Sequence, residues 1–263
     1  MDNQVKGICR LGIIPVRAKS NDQAEMVSQL IFGDHYSVND ISSDGRWANI
    51  TIEYDQYDGW IDIKQHTEIS EDYFNHLNNT DFKISTDLTS TILYKKRYLQ
   101  IVIGSVLPIS SNELFEIHEQ FAFNGASKNI GDRQGFEFLK LMVEKYMNAP
   151  YLWGGKTPFG IDCSGLIQQI FKLSGHALKR NANQQYQQGT IIASLTEAKP
   201  GDLAFFRNEN NHISHVGIIM EDQDFIHASG YVRKDKLDEN GIYNEELSTY
   251  THNLDSIKRI LKT

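Results

Sequence analysis

The apolar positions of the first 125 residues fall in short alternating runs separated by Gly, Asp and Asn, a pattern that predicts strands. "GICRLGIIPVRA" (7–18) reads as a strand, and "EMVSQLIFGDHYSVNDIS" (25–42) carries a turn at Gly33-Asp34. "RWANITIEY" (46–54) alternates apolar and polar residues, and "YDGWIDIKQ" (57–65) follows across a Tyr-Asp-Gly turn. Strands at this spacing predict a small barrel or sandwich. The stretch "SEDYFNHLNNTD" (70–81) is polar without alternation and reads as a link between two units. A second β stretch includes "TILYKKRYLQIVIGSVLP" (91–108), where Ile101, Ile103 and Val106 are as apolar as a core strand.

The period changes near Gly131. In "GFEFLKLMVEKYMNAP" (135–150), Phe138, Leu139, Met142, Val143 and Tyr146 recur at helical spacing until Pro150 stops the pattern. After a glycine-rich loop, Leu166, Ile167, Ile170 and Phe171 repeat it as far as Gly175. Beyond Gly189 the strands "GDLAFF", "SHVGIIM" and "DFIHAS" follow. Helices followed by antiparallel strands predict an α+β domain.

Composition narrows the function classes. The chain has 263 residues, enough for two or three small domains, with 40% hydrophobic residues and a net charge of −8. That charge argues against nucleic acid or an anionic membrane as partner, and no apolar run is long enough for a membrane span. Cys9 and Cys163 are the only cysteines, too few for a disulfide framework or a four-ligand structural zinc. The first twenty residues lack a basic segment followed by an apolar core and a small-residue cleavage site, which predicts a cytoplasmic protein.

Candidate chemistry centres on "GGKTPFGIDCSGLIQQIFK" (154–172). Asp162 is a good N-cap for a helix starting at Cys163, whose sulfur would then sit at the positive end of the helix dipole, where a thiolate is favoured. Ser164 and Gly165 are small and leave room for a substrate carbonyl. Taken alone, Asp-Cys-Ser-Gly is as well explained by a buried cysteine. The downstream histidines shift the balance, because a thiol nucleophile needs a base and the base needs an orienting group. His215 in "HISHVGIIM" and His227 in "DFIHAS" lie 12 residues apart, a separation suited to adjacent antiparallel strands, with Gly217 leaving space beside His215. A metal held by His212, His215 and His227 is the competing reading, weakened by the polar, loop-like surroundings of His212.

"YLWGGKTPFGIDCSGLIQQIF", "KPGDLAFF", "HISHVGIIM" and "FIHAS" together resemble the NlpC/P60 cysteine peptidases over residues 133–263. The resemblance implies a papain-like α+β domain needing no metal or organic cofactor. Cys163 would be the nucleophile, His215 the general base and His227 the orienting group, with Asp162, Ser164 and Tyr151 lining the substrate pocket. Where the family often has Pro-Arg after the nucleophile helix, Lys179 stands in place of the proline, while Arg180 and Gln185 are retained.

"VRAKSNDQAEMVSQLIFGD" (16–34) and "RWANITIEYDQYDGWID" (46–62) resemble the bacterial SH3 (SH3b) domain of dipeptidyl-peptidase VI enzymes, which implies one such domain over residues 1–69 and a diverged second one over 81–126. The implied architecture is multidomain α+β: two small SH3b-like β-barrels followed by a papain-like NlpC/P60 domain. The implied partners are murein peptides, L-Ala-γ-D-Glu-L-diamino acid, cleaved at the γ-D-glutamyl bond when the N-terminal L-Ala is free. Glu25 and Tyr57 are the positions carried over for recognition of that amine. An amidase or acyltransferase of the same fold, or a non-catalytic wall-peptide binder, remains the alternative.

Overall fold

The computed structural model describes residues 4–107 and 121–261. The chain divides into two compact units, residues 1–132 and 133–263.

The N-terminal unit opens with seven strands: β1 (Lys6–Ile8), β2 (Ile13–Arg17), β3 (Met26–Ile31), β4 (His35–Ile41), β5 (Trp47–Ile52), β6 (Tyr57–Asp62) and β7 (Glu68–Ile69). Alternation sets their faces: Ile14 and Val16 of β2 and Ala48, Ile50 and Ile52 of β5 point into one core. The sheet order is β3-β2-β6-β5-β4-β1-β7. This sheet is open, which corrects the expected SH3b-like barrel. Its edge strands β3 and β7 do not meet, and β2 pairs with β6 through Arg17 and Trp60 alone. Local alternation predicts a strand but not whether the first and last strands of a sheet find each other.

The presumed linker is a helix, α1 (Glu71–Asn79). Ser70 Oγ caps it by accepting from Tyr73 N at 3.2 Å, and Phe74 and Leu77, three residues apart, turn inward. Two buried apolar residues in a polar run are too few to show a helical period. Beyond it, β8 (Lys83–Ser85), β9 (Thr89–Tyr94), β10 (Arg97–Val102), β11 (Val106–Leu107), β12 (Phe121–Asn124) and β13 (Ser127–Asn129) form two three-stranded sheets, β10-β9-β12 and β11-β8-β13. Neither closes, so among the described residues the second expected barrel is also absent.

The C-terminal unit starts with α2 (Phe136–Tyr146), which buries Leu139, Met142, Val143 and Tyr146. The short hairpin β14 (Lys156–Thr157) and β15 (Gly160–Ile161) leads into α3 (Cys163–Leu173), then α4 (Ala182–Gln185). All eleven residues of α3 are buried. The strands are β16 (Thr190–Ile192), β17 (Leu203–Arg207), β18 (Ile213–Ile219), β19 (Asp224–Ser229), β20 (Tyr231–Asp238), β21 (Gly241–Asn244) and β22 (Thr249–Arg259). They run in the order β16-β22-β17-β18-β19-β20-β21, and β22 also pairs with β21. That last pairing shuts a ring of strands, so the closed barrel lies in this unit. Arg259 of β22 clamps the ring with a two-pronged contact to the buried Asp202, at 2.8 and 2.7 Å. Among the described residues no helix is long and apolar enough to cross a membrane.

Candidate active site

Helix α3 packs against α2, β18 and β19. Asp162 is the N-cap, and its Oδ1 accepts from Gly165 N at 2.6 Å. Its Oδ2 accepts from Gly154 N at 2.8 Å, which ties the glycine loop to the helix start. Arg180, only 1% exposed, grips the same carboxylate with Nη1 to Oδ1 at 2.9 Å and Nη2 to Oδ2 at 2.6 Å. Arg180 Nη1 also donates to Ser164 Oγ at 3.0 Å, and Gln185 Nε2 donates to Ser164 O at 2.9 Å. Asp162 and Ser164, read from the sequence as pocket-lining residues, are thus buried in a network that fixes the helix start. Such a buried bidentate pair holds its geometry because breaking it strands a charge in the interior.

Cys163 is 6% exposed at the first turn of α3. Burial pushes its thiol up to about 12, and the neighbouring Asp162 carboxylate pushes the same way. Backbone hydrogen bonds from Val216 and Ser164 and the Arg180 charge oppose this and are outweighed. The sequence leads to the expectation of a helix terminus that favours the thiolate; here desolvation by burial acts more strongly in the opposite direction.

Val216 follows His215 on β18. Strands β18 and β19 pair antiparallel, with Ile218 opposite Ile226. From these neighbouring strands the buried rings of His215 and His227 meet, Nε2 to Nδ1, at 2.7 Å. Burial, followed by the charges of His227 and His252, holds His215 well below the ordinary histidine range. His227 continues to a carboxylate: its Nε2 lies 3.0 Å from Asp235 Oδ2 on β20. Asp235 is 5% exposed. Its carboxyl stays low despite burial, because His227 and Arg233 bond to it.

Asp235 was not singled out in the sequence, where "RKDKLD" looks like a solvated strand face. The β-period offers the one signal, since Asp235 shares a face with the buried Leu237. His252 on β22 was missed as well. Its ring stacks on His215, whereas His212 is exposed. The third histidine of the cluster is therefore His252, and among the described residues no group of three His, Cys, Asp or Glu is disposed to hold a metal ion.

Two glycines do not provide the room read from the sequence. A Cβ on Gly165 would meet Gly155 O at 2.3 Å, and one on Gly217 would meet the Phe225 ring at 2.4 Å. Both sites are glycine because another part of the protein occupies that space. Tyr151, exposed at the surface, lies beside the cysteine; desolvation and the Cys163 and Asp162 charges raise its hydroxyl to about 12. Glu25 and Tyr57 belong to the N-terminal unit. Glu25 is exposed just before β3, and Tyr57 opens β6 and packs on the first core.

Residues 148–251 match the NlpC/P60 family, and residues 16–65 match the bacterial dipeptidyl-peptidase SH3 domain. The C-terminal unit has the NlpC/P60 cysteine-peptidase fold. The N-terminal unit carries an SH3b-like domain, built on the open sheet. The crystal structure of an NlpC/P60 family protein from Bacillus cereus shares the fold with a TM-score of 0.78 at 18% identity, covering 98% of this chain and 100% of that one. The gamma-D-glutamyl-L-lysine dipeptidyl-peptidase of Bacillus subtilis is 26% identical over 220 residues, 76% of this chain and 71% of that protein. The gamma-DL-glutamyl hydrolase of the same organism is 45% identical over 90 residues, 33% of this chain but 22% of that protein.

The NlpC/P60 and SH3b matches also correct the cytoplasmic expectation, since these are families of cell-wall-associated and secreted hydrolases. That expectation rested on the lack of a leader-like pattern, and a missing pattern carries no positive information about compartment.

Proposed function

We propose that the protein is a cysteine peptidase acting on murein peptides, which hydrolyses the γ-D-glutamyl–L-diamino acid bond of L-Ala-γ-D-Glu-L-diamino acid and releases L-Ala-D-Glu. The observation that carries this reading is the buried thiol at the start of α3, set against a strand whose His215 is joined to His227 at 2.7 Å. His215 takes the Cys163 proton as the sulfur attacks the γ-carbonyl carbon. N–H groups at the start of α3 stabilise the oxyanion, and His215 returns the proton to the departing amine of the diamino acid. The thioester left on Cys163 is hydrolysed by water, with His215 again as base.

The specificity is supported by the name of the Bacillus subtilis gamma-D-glutamyl-L-lysine dipeptidyl-peptidase and by the matching SH3 domain. Glu25 and Tyr57 are assigned to the free L-Ala amine, because a carboxylate discriminates for an ammonium over a blocked nitrogen. The likeness to gamma-DL-glutamyl hydrolase keeps the γ-glutamyl acyl group in common and makes the flanking residues the variable.

The test is a substrate panel analysed by mass spectrometry: L-Ala-γ-D-Glu-L-Lys, its diaminopimelate analogue, their N-acetylated forms, and γ-glutamyl-glutamate. Release of L-Ala-D-Glu from the free peptides, abolished in Cys163→Ala, is expected. Turnover that survives Cys163→Ala overturns the mechanism. Equal cutting of acetylated and free peptides overturns the role of Glu25 and Tyr57.

A further inference from the structure

We propose that Asp235 is a positioning residue that sets the tautomer of both histidines, so that His215 offers a basic Nδ1 to Cys163. The kinetic part of this inference rests on the function proposed above; the tautomer part does not.

The hydrogen bonds leave one solution. Asp235 is ionised and can only accept, so His227 Nε2, 3.0 Å from Oδ2, carries the hydrogen. With neutral rings, His227 Nδ1 is then an acceptor, and His215 Nε2 must donate across the 2.7 Å contact. His215 Nδ1 is left bare as the basic nitrogen. The direction of the whole chain is dictated from its far end, at a carboxylate two strands away from β18.

Arg233 makes this direction hard to reverse. Its Nη2 donates to Asp235 Oδ1 at 3.0 Å, and its Nη1 reaches Glu246 at 3.1 Å. In Asp235→Asn the amide oxygen must stay toward that guanidinium, because turning would set NH2 against N–H. The amide nitrogen therefore faces His227 and donates to Nε2. His227 then carries its hydrogen on Nδ1 and donates to His215 Nε2, which moves the His215 hydrogen onto Nδ1. The base is blocked although every ring keeps its place.

The test compares Asp235→Asn with Asp235→Ala on the full chain. The isosteric Asn variant should lose kcat by up to about ten-thousand-fold with KM little changed, an order of magnitude set by a wrong-tautomer substitution in another triad. Asp235→Ala, which leaves the tautomer free, should lose less. A purely structural role gives the opposite order, and an Ala variant worse than Asn overturns the proposal. NMR of ring-labelled histidine supplies the readout independent of activity: Nε2–H on both rings in the native protein, Nδ1–H on both in Asp235→Asn. Unchanged tautomers overturn it even if substrate is cleaved. A tautomer switch in a protein that cleaves none of the panel upholds it and overturns the substrate reading instead.

Discussion

The ring of His252 lies over that of His215, centroids 4.3 Å apart and planes within 24°. Two stacked imidazoles at this distance tolerate little added charge. His252 also faces Phe206 and His227, and burial, then the His227 charge, lowers its pKa to about 4 against the pull of Asp235. Because folded pKa values lie below 6.5, the unfolded chain binds more protons in this window. Stability is therefore complete above pH 6.5 and lost as pH falls toward about 4. Urea unfolding at pH 7.5, 5.5 and 4.5 should show this decline, and His252→Phe should flatten it. An unchanged slope in that variant would remove His252 from the account.

The thiol raised to about 12 predicts slow alkylation of Cys163 at neutral pH. Its iodoacetamide rate should climb about tenfold per pH unit between 7 and 9, following the thiolate fraction. Subtracting the trace of Cys163→Ala isolates it from Cys9. A plateau already reached near pH 7 would mean a preformed thiolate.

Arg180 and Asp162 form a buried pair that anchors the start of α3. Arg180→Ala should destabilise the protein by about 3–5 kcal/mol, since it leaves the carboxylate buried and uncompensated. Arg180→Lys should recover only part of this, because an ammonium cannot reproduce the two-pronged contact. Chemical denaturation measures both, and full recovery in Lys would show that charge alone matters.

Gly217 sits against Phe225, so Gly217→Ala should cost about 1–3 kcal/mol through overpacking. Adding Phe225→Leu should return part of the loss. A single variant as stable as the native protein would show that the ring moves freely.

The helices α2 and α3 were readable because Leu139, Met142 and Val143, and Leu166, Ile167 and Ile170, repeat at the α-period. The pairing of His215 with His227 was readable from a spacing that fits two adjoining strands. Ring closure was not, because β22 meets β21 across a short turn but must also find β17, far back along the chain. His252 was hidden for the same reason: "STYTHNLDS" is polar, and only the register of β22 lays it on His215. Asp235 was masked by Lys234 and Lys236, whose side chains pair with Asp224 on the neighbouring strand.

Strand β22 contributes no acid or base to the proposed reaction, yet it shuts the ring. Cys163, Arg180, His215, His227 and Asp235 all precede the exposed turn at 245–248, and β22 follows it. One broken peptide bond in that turn would leave the whole reactive set on a single fragment while freeing its keystone. The chemistry of this domain is thus hostage to a strand whose own part is to close the ring and to lay His252 against His215.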